Sequence, residues 1–296
     1  MSIIEKLAEK HLGQKNQYFD QYDPSFLVKI PRCYNRETYG IDDKALPFVG
    51  TDVWHAYEVS AITEKGLPVN GVLKIIVPAN TECLVESKSF KLYLNSFNMT
   101  KLGSTEKECI LQVQQTVSAD LSNFLNANIQ CLFYKSEKQI VELQLQYPDL
   151  SELTNLDEID FSLLESDERL LKISESNQEA KTIKFKTDLL RSNCRVTNQP
   201  DWGDVLIYME TNKQPDYASV ARYVVSHRRL NHFHEEVAEM IYTHFSEVYQ
   251  PRALMIACLY TRRGGIDINP IRASSSALLP KSFTSLNIIN KRTIRQ

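Results

Sequence analysis

Two segments of this chain carry the same order of hydropathy periods, and that repetition limits the fold more than any single motif does. Val53 to Thr63 and Val72 to Val77 have the pattern of strands, joined by the turn Gly66-Leu67-Pro68-Val69-Asn70-Gly71. The period then changes. Phe90, Tyr93, Leu94 and Phe97 fall at helical spacing behind Ser87 or Ser89 as N-cap, and a second helix is expected over Ser104 to Asn126. Ile129 to Tyr134 and Ile140 to Gln146 read as strands again. The same order returns beyond Pro148: strands over Thr182 to Leu190 and Asp204 to Met209, helices over Tyr217 to Arg229 and Phe233 to Tyr249, then Ala253 to Tyr260 and a short strand after Gly265. The halves share element order, not residues. Each is expected to be an antiparallel sheet with paired helices on one face, an α+β layer architecture.

The expected boundaries follow composition. Residues 1–50 form a polar, irregular arm with one amphipathic run at Ile3, Ile4, Leu7 and Leu12; 51–148 are the first module; 149–180, rich in Glu, Asp and Ser, are an acidic connector; 181–296 are the second module. A length of 296 residues fits two domains of ordinary size. With 34 basic against 37 acidic side chains there is no electrostatic footprint for long nucleic acid. No apolar run is long enough to cross a bilayer, and the N-terminus lacks the basic-then-apolar pattern of an export signal. Six cysteines are scattered without CxxC spacing, so neither a disulfide framework nor a zinc knuckle is indicated, and a reducing cytoplasmic compartment is expected.

One of those cysteines lies in a chemically suggestive stretch, Ser192-Asn193-Cys194-Arg195-Val196-Thr197-Asn198-Gln199-Pro200-Asp201-Trp202-Gly203, read as an irregular loop between two strands whose centre Pro200 bars from regular pairing. A thiol acts as a nucleophile only as its thiolate, which requires a base or a cation nearby. Asp201 could be that base and Arg195 that cation; alternatively Cys194 is one more small buried hydrophobe.

Three further stretches carry polar chemistry. Glu86 stands before an N-capped helix, either as an acid favouring the helix dipole or as a bidentate acceptor for the N–H/NH2 edge of a guanine-like ring; Lys88 beside it is placed to meet an anion. Asn231-His232-Phe233-His234-Glu235-Glu236 lies between two helices and could offer a stacking face and polar contacts to a planar ligand. Thr261-Arg262-Arg263-Gly264-Gly265 is either a hairpin turn or a phosphate clamp. No GxGxxG or GxxxxGK[ST] is present, so any nucleotide would be held by side-chain cations.

Taken together, Glu86-Ser87-Lys88-Ser89-Phe90-Lys91-Leu92-Tyr93, Ser192-Asn193-Cys194, Gln199-Pro200-Asp201-Trp202-Gly203, Phe233-His234-Glu235 and Tyr260-Thr261-Arg262-Arg263-Gly264-Gly265 resemble the NADPH-dependent 7-cyano-7-deazaguanine reductase (QueF) family in its two-module form, from about Asp20 onward. The resemblance implies tandem tunnelling-fold (T-fold) modules, a homodimer and a role in making the queuosine precursor of tRNA. It implies reduction of a nitrile to an amine with two NADPH through a thioimidate on Cys194, with Asp201 as proton carrier and no metal. Val85, Glu86, Ser87, Phe233, His234 and Glu235 would then hold the deazaguanine, and Ser87, Lys88, Arg263 and Gly264 the NADPH. Arg195 and Asn198 depart from the family's pattern of Leu or Ile, and often His. Two other classes compete with this reading: a zinc-dependent hydrolase on the same fold, for which Cys194 lacks a partner at ligand spacing, and a non-catalytic purine-binding protein with a structural Cys194.

Overall fold

A computed structural model describes residues 21–135, 140–142, 146–162, 168–294 and 296. The amphipathic run at Ile3 to Leu12 lies outside the described residues. Eight strands form a single sheet: β1 Val49–Ile62, β2 Pro68–Pro78, β3 Gln130–Tyr134, β4 Ile173–Cys194, β5 Pro200–Pro215, β6 Asn231–His232, β7 Ala253–Tyr260 and β8 Ile266–Ala273. In space they run β3-β2-β1-β8-β7-β5-β4-β6. Neighbours are antiparallel except β4 and the two-residue β6. The α+β character matches expectation, but the halves do not keep separate sheets. β8, from the C-terminal half, pairs along its whole length with β1, from Ile266 opposite Ala56 to Ala273 opposite Val49. Each edge would otherwise leave a row of unpaired N–H and C=O groups, and joining them satisfies both.

The helices are α1 Ser87–Asn95, α2 Glu106–Leu125, α3 Tyr217–Ser226 and α4 His234–Tyr249. α2 buries Cys109, Val113, Val117, Leu121 and Leu125, one residue every four, and is bounded by a Thr105/Glu108 capping box and by Asn126 in the left-handed region. With α1 it covers β1, β2 and β3 through a core around Trp54, Leu73, Phe90 and Val113. α3 and α4 cover β4, β5 and β7 on the same sheet face, around Phe185, Ile207, Tyr223 and Ile256. β7 shows why its sequence is continuously apolar: Leu254, Ile256 and Cys258 enter the helix-side core, while Met255, Ala257 and Leu259 enter a third core on the other face, closed by Phe283. Among the described residues no helix is long and apolar enough to cross a membrane.

Three local expectations change. Pro200 does not interrupt pairing but opens β5, opposite Asn193, because the first residue of a strand can dispense with a donated hydrogen bond. Glu86, not Ser87 or Ser89, caps α1. Of the strand expected over Ile140 to Gln146, Ile140–Val141 pairs in parallel with Ile289–Asn290, and residues 143–145 lie outside the described residues. The acidic stretch also contributes to the core: Leu150 and Leu171 are buried in it, and β4 begins at Ile173.

A buried ionic cluster ties the arm to both halves. Arg32 bonds Asp52 of β1 at 2.6 Å, Arg36 bonds Glu239 of α4 at 2.9 Å, and Arg272 of β8 reaches Asp52 at 2.8 Å and Glu239 at 2.9 Å. Burial alone would raise both carboxyls, yet the arginines outweigh it and hold Asp52 and Glu239 below the usual carboxylate range. Depressed carboxyl pKa values contribute stability that is present above the ordinary range and lost as pH falls through the folded-state values. Arg272→Met is expected to cost about 3–5 kcal/mol, because it takes the shared cation away from two buried carboxylates and leaves each hydrogen-bonded to a single arginine. Urea titrations should show that loss at neutral pH and a smaller difference from the parent once the pH falls below about 4.

Candidate active site

Where the halves meet, a cavity of about 200 Å³ opens on the helix side of the sheet. Five pieces of chain surround it. The arm ribbon brings Ile30, paired with Leu84, and beside it Val85; the first turn of α1 brings Ser87 and Lys88. The β4–β5 hairpin adds Cys194, Gln199 and Asp201; the entry to α4 adds His232, Phe233, His234 and Glu235; the β7–β8 turn and β8 add Arg263, Gly264, Ile266 and Ile268. Residues from both halves of one chain therefore line the same cavity.

The hairpin sets a buried thiol in the cavity wall. Cys194 N–H donates to the Gln199 carbonyl and the Asn198 N–H to the Cys194 carbonyl, with Asn198 at φ 54°. Asn tolerates that left-handed conformation, which accounts for its presence here. Arg195, expected beside the thiolate, instead donates to Glu236 at 2.6 Å, and Glu236 also faces His232 at 2.8 Å. The cation at the sulfur is Lys88, with Nζ 3.5 Å from Cys194 Sγ. Burial opposes ionisation of Cys194, but Lys88, the Thr197 side chain and the Val196 and Thr197 amides outweigh it and hold the thiol below its ordinary pKa. By contrast, burial pushes Cys131 and Cys258 up to about 12. Lys88→Met should raise the Cys194 pKa and lower its alkylation rate by iodoacetamide about tenfold at neutral pH, the change expected for one pKa unit. Peptide mass after labelling across pH checks this; an unchanged profile would remove Lys88 from the thiolate's environment.

Asp201 lies on the same face of the hairpin. Burial raises its carboxyl pKa, but His234, 3.4 Å away, and Arg263, in a short ion pair, bring it below the usual range. The expected phosphate clamp is therefore turned inward: Arg263 donates to Asp201, to the Gln199 side chain and to the Gln199 and Pro200 carbonyls. Gly264 and Gly265 both have positive φ, 58° and 76°, and a Cβ on Gly265 would fall 2.5 Å from Glu58, so this turn needs its glycines for the backbone alone. His234 stacks on Tyr260, ring centroids 3.8 Å apart.

Two carboxylates were candidates to hold a ring. Glu86 does not face the cavity; its oxygens accept from the Lys88 and Ser89 amides at 3.1 and 2.7 Å, satisfying the helix end. Glu235 does face it. Burial and the Asp52 carboxylate push its carboxyl well above the usual range. Sequence reasoning did not assign Ile30, Leu84, Gln199, Ile266 or Ile268 to the wall. Gln199 was legible in principle, as a neighbour of the cysteine turn; the three isoleucines carried no signal beyond ordinary strand periodicity.

A thiol biased toward its anion, beside a carboxylate held below its usual range in a partly closed cavity, is an arrangement suited to an enzyme active site. Comparison with known proteins gives the family. A family model described as nitrile reductase, 7-cyano-7-deazaguanine-reductase N-term, matches residues 18–133, and one described as QueF-like protein matches residues 200–277. The NADPH-dependent 7-cyano-7-deazaguanine reductase of Psychrobacter cryohalolentis is 40% identical over 291 residues, covering 95% of this chain and 97% of that protein. The reductase of the same name from Rickettsia prowazekii is 38% identical over 290 residues, covering 98% and 99%. The chain belongs to the NADPH-dependent 7-cyano-7-deazaguanine reductase family, as its motifs indicated.

Proposed function

We propose that this chain reduces the nitrile of 7-cyano-7-deazaguanine to an aminomethyl group at the expense of two NADPH, through a thioimidate on Cys194, in the route to queuosine in tRNA. The observation that carries the reading is the Lys88–Cys194 contact inside a cavity that also holds Asp201 and Glu235. A nitrile carbon is a poor direct hydride acceptor, and addition of the Cys194 sulfur converts it to a better one. In that step the S–C bond forms, one C≡N π bond opens, and the thiol proton ends on nitrogen. Asp201 is the carrier: held ionised by His234 and Arg263, it accepts the proton, and once protonated it is a strong acid that passes the proton to the nitrile nitrogen. NADPH supplies the two hydrides that take the thioimidate carbon to the amine. Between them the sulfur departs again, and Lys88 favours its departure by stabilising the thiolate.

Glu235 accepts from the ring N–H and NH2, with Val85 and Phe233 against the ring faces and His234 at its edge. The cofactor's phosphates fit a cationic rim: Ser87 and Lys88 in the first turn of α1, with Lys91, which also pairs with Glu58 at 3.0 Å. Arg263 and Gly264 border the same cavity, so the guanidinium that holds Asp201 also adds positive charge on the cofactor's side. Glu86 positions Lys88 through the helix end. We read the two halves as T-fold modules joined at the β1–β8 seam, on the strength of their repeated element order, with boundaries near 50, 148 and 180, and the protein as a cytoplasmic homodimer. Incubation with 7-cyano-7-deazaguanine alone, followed by intact mass, is expected to show one added substrate mass; an unmodified protein at saturating ligand would overturn the covalent route.

A further inference from the structure

Behind Glu235 the cavity wall gives onto a small recess of about 10 Å³, room for a single water-sized atom. Arg32, Asp52, Trp54 and Glu235 bound it, together with Leu84 and Val85, which also face the large cavity. Its lining is mostly apolar, but two of the residues that bound it carry unpartnered donors. Trp54 Nε1 and Arg32 Nη1 are buried without a hydrogen-bond acceptor, on side chains of residues only 4% and 2% exposed. Arg32 uses Nη2 on Asp52 and Nε on Thr81, while Nη1 stands 3.8 Å from Glu239, beyond hydrogen-bond reach.

These donors are held in place by the sheet. Asp52 and Trp54 are two apart on β1 and so share its helix-side face. Trp54 is flanked in register by Ile75 of β2 and Ile268 of β8 and packs edge-on to Phe90 with centroids 5.5 Å apart. Buried N–H groups without acceptors are rare in folded proteins, and two around one atom-sized space mark a place for an acceptor atom. Beside it, Glu235 is itself an acceptor. The combination is complementary to a ring edge that presents a carbonyl oxygen next to an N–H.

We infer that Trp54 Nε1 and Arg32 Nη1 receive the ring carbonyl oxygen of the substrate while Glu235 takes the adjacent N–H, so that these two residues select a lactam ring. The inference rests on the reading of Glu235 as the ring's acceptor. An amino group in place of the oxygen would set N–H against N–H and leave Glu235 without its donor, so the site rejects that ring by repulsion as well as by a missing bond.

Trp54→Phe removes the N–H and keeps an aromatic ring. In a Cys194→Ala background, which prevents adduct formation, calorimetry would compare 7-cyano-7-deazaguanine with its 6-thio analogue, which keeps the N–H but offers a larger and weaker acceptor. The oxo ligand is expected to bind the parent more tightly and to lose about tenfold in affinity in Trp54→Phe, with the thio ligand little changed. An equal loss for both ligands, or no loss for either, overturns the assignment. Arg32→Lys, which keeps a cation for Asp52, gives the same comparison should Trp54→Phe melt early. Glu235→Gln separates the two levels: if it abolishes binding while the oxo/thio ratio ignores Trp54, the oxygen site alone is wrong. If Glu235→Gln binds as the parent does, the reading beneath it fails as well.

Discussion

Cys194→Ala is expected to acquire no mass from 7-cyano-7-deazaguanine and to lose nitrile reduction by at least about four orders of magnitude, the scale on which removal of a covalent nucleophile acts. The substitution deletes the one atom that converts the nitrile into a hydride acceptor, and nothing else in the cavity wall replaces it. Lys88 cannot: it stands against that sulfur and serves there as a cation. The hairpin should survive, since its closing bonds run between the Cys194, Asn198 and Gln199 backbones, although the Val196 and Thr197 amides lose the sulfur as acceptor. Binding of the ring should therefore persist, and calorimetry beside intact mass separates lost chemistry from lost binding. An adduct on another cysteine in Cys194→Ala would reassign the nucleophile.

Asp201→Asn is expected to bind substrate nearly as the parent does and to form the adduct two to four orders of magnitude more slowly, roughly the contribution of a positioned acid–base group. The amide has the carboxylate's shape and keeps one acceptor oxygen for Arg263, with its NH2 turned to His234 Nε2, but it cannot carry a proton from sulfur to nitrogen. Rapid-quench mass measurements read the rate directly. If Asp201 acts only by holding Arg263 and His234 in place, adduct formation would stay within a few fold of the parent, and that outcome removes Asp201 from proton transfer.

The elements that could be read along the chain are those whose information is local. β7 was legible to the residue, because its apolar run begins and ends where burial on both faces does, and α2 because five buried residues recur every four positions between two recognisable caps. Cys194 and Asp201 were legible as a pair for a similar reason: only six residues separate them, and the turn carries its own turn residue, Asn198. His234 and Glu235 were found by their clustering at a helix start. These assignments needed only periodicity, capping chemistry and the reactivity of side-chain types.

What the chain order could not convey is which groups face each other across the fold. Arg195 is next to the thiol in sequence and Lys88 is 106 residues away, yet the turn after β4 sends Arg195 to Glu236 while α1 delivers Lys88 to the sulfur. Glu86 and Glu235 are equivalent as acids; one is consumed by a helix end because it occupies the N-cap, and the other reaches the cavity because it lies inside the first turn of α4. The pairing of β8 with β1 depends on backbone edges, which are alike in every strand and so leave no mark in the sequence. That seam places Trp54 beside Ile268 and Arg272 beside Asp52, and with them the walls of the site. Residue chemistry and local period thus settled which groups could react, while long-range packing of two halves on one sheet settled which of them meet.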